Sequence, residues 1–189
     1  LAREVLADDK LIDRLELDID DRCLRLLALQ QPLARDLRFI TAALKISNDL
    51  ERVGDHAVNI AGSALRLAEQ PQLKPLVDIP RMAELACGML HEALDAFVGA
   101  DAETARRICR RDDEVDNLNR QLFRELISYM IEDPATITRA MELILVARNL
   151  ERVGDMATNV AEEVVFIAEA RVIKHHAEDA PAGEDFGRA

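Results

Sequence analysis

The hexapeptide Leu-Glu-Arg-Val-Gly-Asp stands at residues 50–55 and again at 150–155 of a 189-residue chain. A chain that repeats six residues outright, at a spacing of half its length, is built as a duplication. The flanking sequence agrees. "DDKLID" at 8–13 parallels "RDDEVD" at 111–116, and "QQP" at 30–32 parallels "EDP" at 132–134. The offset drifts from 103 to 102 to 100, as short gaps at connections would produce.

Helix punctuation divides the chain. Pro32 and Pro134 sit where new helices start, and Gly99 followed by Asp101 reads as a helix stop and then an N-cap. These marks predict helices over 1–30, 33–69, 79–98, 101–131 and 134–171, with no strand alternation anywhere. The fold class is all-α: two tandem three-helix bundles related by the repeat. The first repeat spans 1–70 and holds two helices; 71–78, with prolines nearby at 71, 75 and 80, is a linker. The second spans 79–174, and 175–189, lacking periodicity, is a disordered tail. Helix 79–98 has no partner in the first repeat, and its counterpart would precede Leu1. A start on Leu rather than Met points to a trimmed or incomplete N-terminus. The uncovered face of the first bundle is then open to a second copy of the chain.

At about 100° per residue, Phe39, Ala43, Ile46, Leu50, Val53, Ala57, Ile60, Ala64 and Leu67 form one seam. Their counterparts Leu143, Val146, Leu150, Val153, Ala157, Val160, Val164 and Ile167 are apolar too, with Arg139 the exception. These seams are the expected bundle cores. Glu51, Asp55 and Asn59, like Glu151, Asp155 and Asn159, fall on the far side, on a surface stripe. Ferritin-like sites point inward with Glu-x-x-His, a pattern absent here. Asp9 and Asp13, and Asp112 and Asp116, repeat the four-residue spacing on the neighbouring helix.

Two like charges one turn apart cost a helix only about 0.2–0.5 kcal/mol, so a lone pair reads as a solvated face. Four pairs in two repeats read differently. Converging carboxylate and amide oxygens suit hard cations: magnesium, manganese, calcium or ferric iron. His56 corresponds to Met156, so it reads as a surface histidine outside the ligand set. Gly54 and Gly154 interrupt mid-helix positions where Gly costs about 1 kcal/mol against Ala, which suits close approach of a neighbouring helix. Arg52 and Arg152 offset charge from the flank.

A net charge of −12 opposes binding to nucleic acid or anionic lipid. Apolar residues at 49% support a folded core, and aromatics at 3% favour aliphatic helix packing. Cys23, Cys87 and Cys109 follow no metal or disulfide spacing and read as small core residues of a reducing, cytoplasmic protein. No run is apolar over the ~20 residues needed to span a bilayer, and no signal peptide is visible.

"DLRFITAALKISNDLERVGDHAVNIA" and "LILVARNLERVGDMATNVAEEVVFIAEARVIKHH" closely resemble the PhoU family of phosphate-uptake regulators, as do the aspartate helices and "LLALQQPLARDLR". The resemblance implies two three-helix bundles with pseudo-twofold symmetry and a further N-terminal helix. It implies iron, zinc, manganese or magnesium held by Asp9, Asp13, Glu51 and Asp55, and by Asp112, Asp116, Glu151 and Asp155, with Asn59 and Asn159 extending the motif. It also implies a cytoplasmic coupler between the phosphate ABC transporter, through its ATPase subunit, and the membrane sensor histidine kinase, restraining uptake when phosphate is plentiful. The sequence has no phosphate-cradling Gly-rich loop and no nucleophile–base pair, so no enzyme is expected. A metal-dependent phosphatase or oxidase, and a metal-free scaffold, are the alternative readings.

Overall fold

A computed structural model describes residues 1–173, among which there are five α-helices and no strand. They are α1 (Ala2–Gln30), α2 (Ala34–Ala68), α3 (Asp78–Gly99), α4 (Ala102–Glu132) and α5 (Ile137–Glu169). Helix ends follow from local chemistry. Asp101 Oδ1 accepts from the Glu103 and Thr104 amides, 3.1 Å each, and so caps α4. The left-handed residue that ends α3 is Ala100, one place beyond the expected Gly99. Pro134 opens a short 3-10 turn (Pro134–Thr136) instead of α5 itself, and Asp133 Oδ1 accepts from the Ala135 amide at 2.9 Å.

Two helical hairpins, α1–α2 and α4–α5, lie side by side, and α3 packs on α4 and α5. The hairpins meet through α2 and α5, which run antiparallel. Lys45 Nζ donates to both Glu163 carboxylate oxygens, at 2.9 and 3.1 Å. Arg66 makes a bidentate pair with Glu142 at 2.6 and 2.8 Å, and Arg38 Nη2 donates to the Ile167 carbonyl at 3.4 Å. The two hexapeptides therefore lie near the middle of this helix pair, on opposite sides of it.

The apolar seam of α5 is buried from Leu143 to Ile167, but of the corresponding α2 seam only Ile46 is buried. Phe39 and Ala64 are exposed and the rest of that seam is half-buried. The reason is coverage: α3 closes the second hairpin, and no described helix closes the first. Leu118 is 8% exposed, whereas Leu15, its repeat counterpart, is 52% exposed. Phe39 instead stacks on Phe97 of α3, with ring centroids 5.0 Å apart.

The expected linker is pinned rather than loose. Lys74 is 8% exposed and donates to Asp78 Oδ2 at 3.2 Å and to Glu125 of α4. Burial alone would lower its pKa; the two carboxylate partners outweigh that and leave it raised. Arg139 Nη1 also holds the Pro71 carbonyl, at 3.2 Å. Of the cysteines, Cys23 is buried as expected, Cys109 is half-buried, and Cys87 is exposed on α3, a surface thiol rather than a core residue. The expected disordered tail and the whole "KHH" segment, 174–176, lie outside the described residues.

The difference in coverage has a measurable consequence. Leu118→Ala is expected to cost about 2–4 kcal/mol in urea unfolding, as buried leucines do, while Leu15→Ala stays below about 1 kcal/mol. Equal losses would show that the first hairpin's face is covered in solution.

Candidate metal centre

A buried stripe of small residues sets the spacing between paired helices. In α5, Ala140, Ala147, Gly154 and Ala161 are buried at seven-residue intervals; in α2 the matching positions are Ile40, Ser47, Gly54 and Ala61. A Cβ added at Gly154 would meet Asp112 Oδ1 at 3.3 Å and Val115 Cγ1 at 3.7 Å. At Gly54 it would meet Ile12 Cδ1 at 3.0 Å, with Asp9 Oδ1 at 3.8 Å. Each glycine is therefore a crossing point at which the aspartate-bearing helix comes down onto the hexapeptide helix. The expectation drawn from the mid-helix glycines is met.

Close crossing crowds the carboxylates. In the second half, Asp112, Asp116, Glu151 and Asp155 are all half-buried. Burial first, and then the charges of Asp155, Asp116, Asp113 and Glu151, push Asp112 up to about 6. Asp155 is raised by burial, against the opposing pull of Arg152, whose Nη1 sits 3.3 Å from its Oδ2. In the first half, Glu51 is raised by burial and by Asp55, Glu16, Asp13 and Asp9. There Asp13, Asp55 and Asn59 are exposed, while Asp9 and Glu51 are half-buried. The motif is thus no fully solvated stripe. It lies along the edge of each hairpin crossing, deeper in the second half, where α3 braces α4 and α5.

Two carboxylates join these clusters that the four-residue spacing did not single out, Glu16 and Asp113. Glu16 was visible in principle, since Asp9, Asp13 and Glu16 follow the four-and-three spacing of one helix face. It is also 3.4 Å from the Asn48 amide nitrogen. Asn159 turns out differently from its expected place. It lines a cavity of about 450 Å³ with Asn48, Asp49 and Glu163, between α5 and α2. One turn beyond Asp155, and about 40° further round the helix, the side chain borders residues of α2. His56 is half-buried rather than on the surface, with its Nδ1 2.9 Å from Asn149 Oδ1. Its charge also pulls Asp155 downward, across the α2–α5 interface. Arg152 offsets Asp155 as expected, whereas Arg52 is nearest Asp49, at 3.6 Å.

The donor chemistry fits a hard cation: four carboxylates from two helices, no sulfur, and mutual repulsion that a positive ion relieves. The side chains are neighbours rather than a closed ligand set. Among the described residues no three His, Cys, Asp or Glu groups are gathered tightly enough to hold an ion. The glycines set how closely the two helices approach at each cluster.

A tandem helical-bundle protein with duplicated acidic crossings is the class these features define. The PhoU domain matches residues 1–64 and 79–164, and the chain belongs to the PhoU family. It is 48% identical over 175 residues to a phosphate-specific transport system accessory protein PhoU homolog of Aquifex aeolicus, covering 93% of this chain and 79% of that one. A homolog of the same description from Caulobacter vibrioides is 47% identical over 167 residues, covering 88% and 73%. Among solved structures, PhoU from Pseudomonas aeruginosa superposes with a TM-score of 0.87 at 38% identity, over 90% of this chain and 82% of that one. The phosphate transport system regulatory protein PhoU from Streptococcus pneumoniae gives 0.82 at 28% identity, over 90% and 80%.

Asp112 gives the cluster a pH signature. Its folded pKa lies above its ordinary value near 4, so its contribution to stability is complete below that value and is lost as pH climbs through about 6. In chelator, Asp112→Asn is expected to stabilise the protein at pH 7.5 by about 1 kcal/mol, allowing for solvent screening of a half-buried group. The gain should vanish near pH 4. A variant less stable than the parent at pH 7.5 would contradict the crowding.

Proposed function

We propose that the chain is a cytoplasmic regulator of phosphate uptake that couples a phosphate ABC transporter to a membrane sensor histidine kinase and restrains both when phosphate is plentiful. What supports this reading is the PhoU-family match across both halves, together with relatives described as accessory to the phosphate-specific transport system. No described helix is long and apolar enough to cross a membrane, so contact with membrane components falls to surfaces of the bundle. The role is one of binding, not catalysis.

The acidic clusters are the proposed metal elements, with iron, zinc, manganese or magnesium as the candidate ions. Asp112, Asp116, Glu151 and Asp155 would hold the ion of the second half, and Asp9, Asp13, Glu51 and Asp55 that of the first. A bound cation would supply charge neutralisation across each helix crossing. The residues of the chain do the rest: Gly154 and Gly54 keep the helices close, Arg152 balances Asp155, and His56 ties α2 to Asn149 of α5 beside the second cluster. The open apolar face of α1 and α2 is the proposed contact for a second copy, giving a homodimer.

Affinity-tagged protein from phosphate-replete cells is expected to retain the transporter's ATPase subunit and the sensor kinase. Asp112→Asn combined with Asp155→Asn should reduce that retention at least several-fold. Recovery of neither partner, with or without phosphate and with or without added metal, would overturn the reading.

A further inference from the structure

We propose that the outer groove between α4 and α5, next to the second acidic cluster, binds a small phosphate ester bearing an aromatic ring, a nucleoside di- or triphosphate in chemical class. A cavity of about 640 Å³ opens there, within the range of small-molecule sites. Arg120 and Arg124 of α4 and Arg148 and Arg152 of α5 line it, against a single lining carboxylate, Glu151. Four guanidiniums in one cavity are notable in a chain with 36 acidic and 24 basic residues. Arg152 is shared with Asp155 at 3.3 Å, and Arg120 donates to the backbone carbonyl of Asp116, also at 3.3 Å. Among the described residues, the side chains of Arg124 and Arg148 have no hydrogen bond or ion pair. Clustered cations without acidic partners repel one another, and a polyvalent anion removes that cost. The guanidinium fork suits phosphate oxygens in pairs.

The rest of the lining argues for more than a bare ion. Phe123 is 49% exposed and, with Ile144, gives the groove an apolar wall on which a planar ring can stack. Asn117 and Asn119 add amide donors and acceptors for the edge of such a ring. The groove is also not part of the duplicated plan. At the repeat offsets, Arg120, Arg124, Arg148 and Arg152 correspond to Leu17, Asp21, Asn48 and Arg52, and Phe123 to Asp20. The second half alone has gained the basic lining and the ring, so the site goes beyond the metal and partner reading and does not rest on it.

Calorimetric titration of the intact chain in chelator, with ADP, pyrophosphate, inorganic phosphate and adenosine in turn, tests the proposal. ADP is expected to bind saturably, pyrophosphate about tenfold more weakly, inorganic phosphate more weakly still, and adenosine without measurable heat. Arg124→Gln and Arg148→Gln, both at exposed positions, should each weaken ADP about tenfold, the loss of one charge-assisted contact. Phe123→Ala should erase the gap between ADP and pyrophosphate. Three results would overturn the proposal: no saturable ADP binding, ADP binding that all three variants leave unchanged, or binding of a Glu-rich peptide while ADP gives none.

Discussion

Everything distinctive about this molecule follows from the distance between two helices at a glycine. At Gly154 the Asp112 carboxylate oxygen sits where a Cβ would be only 3.3 Å away, and at Gly54 the Ile12 side chain is closer still. An alanine stripe alone would let helices pack near one another. Glycine at the hexapeptide lets the aspartate helix settle against the backbone, which carries its carboxylates to those of the partner helix. The helix propensity forfeited by Gly, about 1 kcal/mol at each site, and the repulsion at each crossing are both tolerated because the surrounding aliphatic core is extensive. In the second half that core includes Ile108, Val115, Leu122, Val160 and Val164, all fully buried.

The two halves share this device and differ in how firmly it is held. With α3 across it, the second hairpin buries its seam and half-buries all four of its acidic motif residues, and Asp112 is pushed up to about 6. The first hairpin has the same motif with more solvent around it, and Glu51 is the group there whose pKa is raised. The α2–α5 interface then makes the halves unequal partners. His56, next after the first hexapeptide, reaches Asn149 and influences Asp155, whereas Met156, its counterpart, has no charge to return. The two acidic crossings are therefore not equivalent: only the second has the other half's histidine beside it.

Much of this could be read from residues alone, for identifiable reasons. The repeat and its periodicity gave five helices, because aliphatic spacing at three and four residues is a strong signal over thirty residues. Asp101 announced its cap, and the paired glycines announced the crossings. What failed were properties that depend on neighbours. The α2 seam is chemically as good as that of α5, and only the absence of a covering helix among the described residues leaves it half-open. Asn159 matched the motif but faces α2, since spacing along one helix does not say which neighbour occupies which side. Lys74, in a segment that reads as a proline-rich linker, is buried because Glu125 comes from 51 residues away. The arginine groove was invisible for the same reason: its pairs come from two helices and mean nothing until those helices are side by side.

On the proposed metal reading, the helix crossings at glycine, and not acidic residues as such, would create a joint cation site. The most direct measurement is manganese titration followed by the paramagnetic signal of free ion, at pH 7.5, on the parent chain and on Gly154→Val. That variant keeps every carboxylate but crowds Asp112 and Val115 of α4, whose side-chain atoms lie 3.3 and 3.7 Å from the new Cβ position. Saturable binding is expected in the parent, and loss of the second-half site in the variant. Binding that is unsaturable in the parent, or identical in both, would mean that the carboxylates act as a solvated face and that the crossing has no part in holding an ion.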